Sequence, residues 1–257
     1  MNEEEILQAI RKTGCAMRRA NAACTHGDAS APAAEPAALN LFTVIGTDQR
    51  RPVQQIWKYP FRAVVRIRAH NSAGIKAGSG FLVGPSTVLT AAHCLHDMDL
   101  ATPAASAVEV VTANGTALRV GGWDTLSRWR NTGDSAADLG CIRLVGAPGA
   151  ELGYLGTRTI TQSETAGDFA VAGYPLDRGG HKVLYCDIGA NPTIAGAFLD
   201  HPIDTEEGQS GSPLFYISDN QAIAVGVHIR GDDAGNGSNR ALRLTAPLIE
   251  RVRNWLK

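Results

Sequence analysis

Gly208-Gln209-Ser210-Gly211-Ser212-Pro213 runs straight into the apolar stretch Leu214-Phe215-Tyr216-Ile217. A turn of small residues can present a serine hydroxyl while leaving backbone N–H groups uncommitted, which is the local geometry that acyl transfer requires. The stretch after the serine reads as a strand, whereas the elbow of α/β-hydrolases leads from its serine into a helix. The sequence on either side points the same way. Short β-type runs such as FRAVVRIRA, GSGFLVG, TVLTAA, AVEVVTA, LGCIRLV, DFAVAGYP, KVLYCDIG and AIAVGVHI are punctuated by Gly, Pro, Asn and Asp. Strands at this spacing predict an all-β barrel or sandwich.

The two ends of the chain read differently. Ile6, Leu7 and Ile10 lie at helical spacing behind a run of glutamates, so a short amphipathic helix is expected over residues 3–12. Residues 20–38 are mostly Ala, Pro, Ser and Asp with little to bury, the composition of a linker or leader. Residues 1–43 are therefore set apart as an extension, with the folded body starting near Val44. At the other end, Leu248, Ile249, Val252, Trp255 and Leu256 share one helical face behind Pro247, which predicts a C-terminal helix over 246–257 docked on the body.

Composition excludes several functions. The 257 residues carry 24 basic and 25 acidic side chains with no block of one sign, which gives no case for nucleic acid or an anionic membrane surface. The N-terminal MNEEEILQAIRKTG is acidic where a secretory signal is basic, and no stretch reaches the length of a membrane span. The five cysteines, Cys15, Cys24, Cys94, Cys141 and Cys186, are odd in number and widely spaced. They read as buried free thiols in a reducing compartment, which favours a cytoplasmic location. No cofactor or metal is expected: the one pair worth weighing, Cys94 and His96, lacks enough ligands.

A serine nucleophile needs an imidazole to take its proton and a carboxylate to orient that imidazole. Leu89-Thr90-Ala91-Ala92-His93-Cys94 supplies a histidine where an apolar strand gives way to a helical turn. Asp138, in Ala137-Asp138-Leu139-Gly140-Cys141-Ile142, stands just before another apolar strand that can half-bury it. Asp124 and Asp134 compete but sit in polar loops. His93, Asp138 and Ser210 are the expected triad, and the N–H groups of Gly208 and Ser210 the expected oxyanion donors.

TAAHC, DLGCI and GQSGSP in that order resemble the chymotrypsin-type serine peptidases. The likeness is nearest to the bacterial glutamyl endopeptidases and extends over about residues 44–257, through Val44-Ile45-Gly46-Thr47-Asp48-Gln49-Arg50, Tyr59-Pro60-Phe61, Ala172-Gly173-Tyr174-Pro175, Asp204-Thr205 and Val227-His228. The resemblance implies two packed six-stranded antiparallel barrels, in halves of about 58–150 and 155–245, with the site in the cleft between them. It implies a serine endopeptidase acting on protein or peptide substrates, with Thr205 and His228 binding a glutamate side chain before the scissile bond. It further implies that the leader is removed and that the new α-amino group of Val44 completes the acid-binding pocket, so an activating protease or a regulatory partner is expected. Secreted relatives tie the strand before the histidine to the cysteine that follows it, but here that strand reads Lys76-Ala77-Gly78-Ser79-Gly80, which leaves Cys94 without that partner. Glu206 and Glu207 depart from the family's small residues and, with Asp204, keep open a preference for Lys or Arg. A non-catalytic binding module on the same barrels is the rival from another class.

Overall fold

A computed structural model describes residues 3–16, 44–232 and 237–257. The linker expected over 20–38 lies outside the described residues, as does Cys24. The described residues form two sheets, of seven and nine strands rather than six and six, antiparallel throughout except where β9 runs parallel to β15. The surplus comes from strands of two or three residues that sequence periodicity cannot register.

After helix α1 (Glu3–Ala16) and the two-residue strand β1 (Arg51–Pro52), the first sheet is built from β2 (Val64–Asn71), β3 (Gly74–Leu82), β4 (Thr87–Thr90), β5 (Ala107–Thr112), β6 (Ala117–Leu118), β7 (Val120–Thr125) and β8 (Gly140–Leu144). Their order is β6-β5-β2-β3-β4-β8-β7. Helix α2 (Ser127–Thr132) sits between β7 and β8, and α3 (Gly149–Leu152) comes after β8. The second sheet takes β9 (Gly156–Thr157), β10 (Asp168–Gly173), β11 (Tyr185–Ala190), β12 (Thr193–Ala195), β13 (Phe198–His201), β14 (Pro213–Ser218), β15 (Gln221–Arg230) and β16 (Asn239–Arg243), together with β1. Its path is β1-β11-β10-β14-β15-β16-β13-β12, with β9 paired to β15. The β12–β13 hairpin has no counterpart among the strands expected from sequence. Its strands are short, and they turn at Gly196, whose φ of +63° is left-handed.

Apolar side chains of both sheets form one continuous core, with Val64, Phe81, Leu89 and Ile142 from the first and Phe169, Leu214, Val225 and Leu242 from the second all fully buried. The halves are stitched beside the serine turn: Ser79 N–H donates to Ser210 O at 2.8 Å, and the Tyr174 hydroxyl reaches Val64 O at 3.1 Å. Gly211 is required at this seam. Its φ is +89°, and a Cβ there would lie 2.1 Å from Ser79 O and 2.3 Å from Thr90 Oγ1.

Helix α4 (Ala246–Trp255) buries Ile249, Val252 and Trp255, as the periodicity predicts. Trp255 Nε1 and Arg251 donate to Asp124 on β7 at 3.3 and 3.2 Å, fastening the C-terminal helix to the first sheet. Leu256, expected on the same face, is 42% exposed because the helix ends at Trp255. Helix α1 runs four residues beyond the expected 3–12, to Ala16, and packs on β10 and β14 with Ile6 and Leu7 buried in the common core. Among the described residues no helix is long and apolar enough to cross a membrane.

Candidate active site

His93 is placed by the end of β4. All four residues of that strand are buried, Ala91 continues extended, and a single 3₁₀ turn over Ala92–Cys94 swings the imidazole toward the groove between the sheets. Asp138 closes a second 3₁₀ turn, Ser135–Ala137, immediately before β8. Its Oδ2 lies 2.7 Å from His93 Nδ1, and its Oδ1 accepts the His93 backbone N–H at 2.9 Å. Both carboxylate oxygens are thus committed to one residue, which fixes the ring's position and favours the tautomer with the proton on Nδ1. Burial works against a charged imidazole here, yet Asp138 and the adjacent Cys94 outweigh it and hold His93 well above the ordinary histidine range. The competing carboxylates are used elsewhere: Asp134 accepts Ala136 N–H at 2.8 Å and pairs with Arg128, and Asp124 pairs with Arg130 and Arg251.

Ser210 lines the same cleft of about 620 Å³ as His93 and Asp138. Its Oγ is buried and has no hydrogen-bond partner among the described residues. The turn before it is held from outside the cleft. Leu176 N–H donates to Glu207 O at 2.7 Å, and Ser79 Oγ donates to Gly208 O at 2.8 Å. Because a trans peptide sets its N–H opposite its carbonyl, anchoring Glu207 O to Leu176 turns Gly208 N–H away from Leu176; Gly208 itself lines the cleft. Among the described residues neither Gly208 N–H nor Ser210 N–H donates to any acceptor. Gly208 has a φ of +93°, and a Cβ there would lie 2.5 Å from Tyr174 O, so only glycine fits.

Beside this turn is a buried cluster that sequence reading assembled only in part. Thr205, His228 and His201 are each fully buried. The His201 and His228 rings meet edge to face with centroids 5.5 Å apart. Thr205 Oγ1 and both His228 ring nitrogens lack partners among the described residues, while the His201 ring is met only by the Ile203 backbone. Burial drives both imidazoles toward the neutral form, His201 down to about 3 and His228 well below its ordinary value, the latter helped by the neighbouring histidines. His228 is tied to the serine turn through its backbone, accepting from Gly211 N–H at 2.7 Å and donating to Ser212 O at 2.8 Å. His201 was missed because its strand was missed; the alternation Phe198-Leu199-Asp200-His201 after Gly196 was the available signal. Trp129 of α2 was also missed. Its indole lies 6.4 Å from the His93 ring and donates to His96 O at 2.8 Å, forming one wall of the cleft.

The acidic residues expected near the pocket divide into two groups. Asp204 is buried with both oxygens occupied, by Ile45 N–H at 2.7 Å and Gln49 N–H at 2.8 Å. Its own N–H donates to Asp187 Oδ2 at 2.9 Å, and burial pushes Asp187 up to about 6 despite that hydrogen bond. Asp204 therefore seats the segment that begins at the half-buried Val44 and offers nothing to a substrate. Glu206 and Glu207 line the cleft mouth, faced by Lys76 and Arg230. Lys76 pairs with Asp97 at 3.1 Å, and the field of Glu207 contributes to its raised pKa, although burial opposes protonation.

Cys94, Cys141 and Cys186 are buried, and Cys94 and Cys141 are free thiols. Among the described residues no three His, Cys, Asp or Glu side chains gather in a way that could hold a metal ion.

Residues 78–225 match a model described as a trypsin-like peptidase domain. The chain is 32% identical over 236 residues to the glutamyl endopeptidase of Bacillus licheniformis, covering 87% of this chain and 72% of that one. It is 29% identical over 226 residues to a Bacillus subtilis protein named as an extracellular metalloprotease, covering 84% and 71%. Among solved structures, a Glu endopeptidase in complex with MPD superposes with a TM-score of 0.72 at 26% identity, covering 83% of this chain and 99% of that chain. The protease Anisep from Arthrobacter nicotinovorans superposes with a TM-score of 0.63 at 20% identity, covering 77% and 97%.

Proposed function

The chain belongs to the trypsin-like serine peptidases, and we propose that it cleaves peptide bonds after glutamate, with Ser210 as nucleophile, His93 as general base and Asp138 as its orienting carboxylate. The observation that carries the catalytic reading is the convergence on one cleft of the Asp138-bound imidazole, an unpartnered serine hydroxyl and two uncommitted backbone N–H groups. In the reaction Ser210 Oγ attacks the scissile carbonyl carbon while His93 Nε2 takes its proton. Negative charge then develops on the carbonyl oxygen, where Gly208 and Ser210 N–H stabilise it. His93 returns the proton to the leaving amine, and water attacks the acyl-enzyme by the same route in reverse.

Thr205 and the two histidines support the preference for glutamate. A buried hydroxyl and neutral imidazoles can all donate to a carboxylate, and buried polar atoms without partners are costly unless a ligand satisfies them. A basic preference has only Glu206 and Glu207 at the mouth in its favour, because both oxygens of Asp204 are engaged by segment 44–50. The test uses matched peptides with Glu, Gln or Lys before the scissile bond, assayed on wild type, His228→Phe and Thr205→Val. Glutamate should lead on wild type, and His228→Phe should lower kcat/KM for it by about 10²-fold or more while changing Gln cleavage little. Equal losses for Glu and Gln would remove the histidine from recognition.

A further inference from the structure

Arg50 has no exposed side-chain surface, yet no step of the chemistry above uses it. A buried guanidinium survives only where its donors are met, and here they are shared among three parts of the site's support, at Asp48, Asp177 and Gln209. Nε and Nη2 donate to Asp48 at 3.1 and 2.7 Å, within the segment that Asp204 seats. Nη1 and Nη2 donate to Asp177 at 3.0 and 2.7 Å, on the loop after β10. Nη1 also reaches Gln209 Oε1 at 3.4 Å, on the residue before the nucleophile. That same Oε1 accepts Glu206 N–H at 3.0 Å, so one amide oxygen ties the guanidinium to the start of the oxyanion turn.

The loop that Asp177 anchors is the one whose Leu176 N–H holds Glu207 O. Arg50 therefore grips both sides of the contact that aims the Gly208 N–H. We propose that Arg50 is a positioning residue for the oxyanion turn: it clamps the 175–178 loop and the 206–209 turn together and keeps the Gly208 donor directed into the cleft. The proposal rests on the serine-nucleophile reading. It makes the seated segment 44–50 a working part of the site, through the Arg50 side chain and the backbone amides of Ile45 and Gln49.

A residue that shapes an oxyanion donor acts on the transition state and leaves substrate binding largely alone. The experiment titrates active sites with a fluorophosphonate. It then measures kcat and KM on the peptide that wild type cuts fastest, and the affinity for the corresponding peptide aldehyde, whose hemiacetal oxygen occupies the oxyanion position. The proteins are wild type, Arg50→Met, Arg50→Lys and Asp177→Asn. Arg50→Met should lose about 10²-fold in kcat per titrated site with KM within about two-fold, and aldehyde affinity should fall in proportion. Arg50→Lys keeps the charge without the fork and should fall between. Asp177 is partly exposed, so Asp177→Asn is expected to fold even if Arg50→Met does not, and it should lose a smaller factor in the same two quantities. A lowered melting temperature with unchanged kcat per titrated site, in whichever variants fold, makes Arg50 purely structural and overturns the proposal. An unlabelled wild type overturns the serine reading and this one together, whereas a labelled wild type with unaltered variants overturns this one alone.

Discussion

His93 Nδ1 sits 2.7 Å from Asp138 Oδ2, and the other oxygen of the same carboxylate holds the His93 backbone N–H at 2.9 Å. The pair is a rigid unit, and its electrostatics set the pH range over which the base can work. Asp138 holds the protonated imidazole well above the ordinary histidine range, against the effect of burial. General-base catalysis needs the neutral ring, so kcat/KM should fall as pH drops through that raised pKa, and the acidic limb should lie above 6.5. Asp138→Asn removes the stabilising charge and should move the limb to lower pH while lowering kcat by about 10³–10⁴-fold. A pH–rate profile on both proteins checks this; a limb that stays put in Asp138→Asn contradicts the assignment.

Gly78 faces Cys94. A Cβ added at residue 78 would lie 2.7 Å from Cys94 Sγ and 3.3 Å from its Cβ, slightly closer than a disulfide needs. With a small shift of β3, Gly78→Cys should close a disulfide in oxidising buffer, raising stability by about 2–4 kcal/mol. Gly78→Ala, which adds the crowding without the bond, should destabilise. Thiol titration and melting curves decide it: a Gly78→Cys protein that keeps both thiols under oxidising conditions shows the geometry to be wrong.

Helix α1 buries Ile6 and Leu7 against the second sheet, and none of its described side chains lines the cleft. Deleting residues 1–16, or replacing Ile6 with Asp, should therefore cost stability, about 2–4 kcal/mol from the lost apolar burial, with little change in kcat. An inhibitory leader would behave differently. A chain starting at Val44 would then gain kcat/KM, and that gain in steady-state assays is the result the packing does not predict.

Three buried histidines make the fold sensitive to acid. His181 is driven down to about 4 and His201 to about 3, with His228 also well below its usual value, each mainly by burial. Below pH 6.5 the unfolded chain binds protons on these rings and the folded chain does not, so stability is lost as pH falls from 6.5 toward 4. Each ring contributes up to about 1.4 kcal/mol per pH unit. Asp187 acts in the opposite sense, because its buried carboxyl keeps a proton up to about 6, but one group does not offset three. The melting temperature should fall steeply between pH 6.5 and 4.5, and less steeply in His201→Phe. Identical slopes in the two proteins would contradict the burial argument.

The parts of this site that sequence could name are those whose chemistry demands particular letters in sequence neighbours. The histidine at the end of TVLTAA, the aspartate opening LGCIRLV and the serine in a turn of small residues each announce a role locally, and their order carried the family resemblance. His201 did not, because its strand is four residues long and its partner is 27 positions away, across a sheet whose register is set by burial rather than by local preference. Arg50 and Asp204 were visible as letters but not as functions. Asp204 suggested a pocket carboxylate until its oxygens proved to be filled by Ile45 and Gln49, and only tertiary contact distinguishes those uses. The strand count differed for the same physical reason, since two-residue strands such as β1 and β9 exist by pairing and carry no periodic signal.

A cleavage-site profile decides whether this serine endopeptidase reads glutamate through Thr205 and His228. The protein is incubated with a peptide library and the residue before each cut is identified by mass spectrometry, with Ser210→Ala as the blank. Cuts should concentrate after glutamate and be absent from the blank. Cuts after lysine or arginine would contradict the pocket, and cuts that persist in Ser210→Ala would contradict the nucleophile.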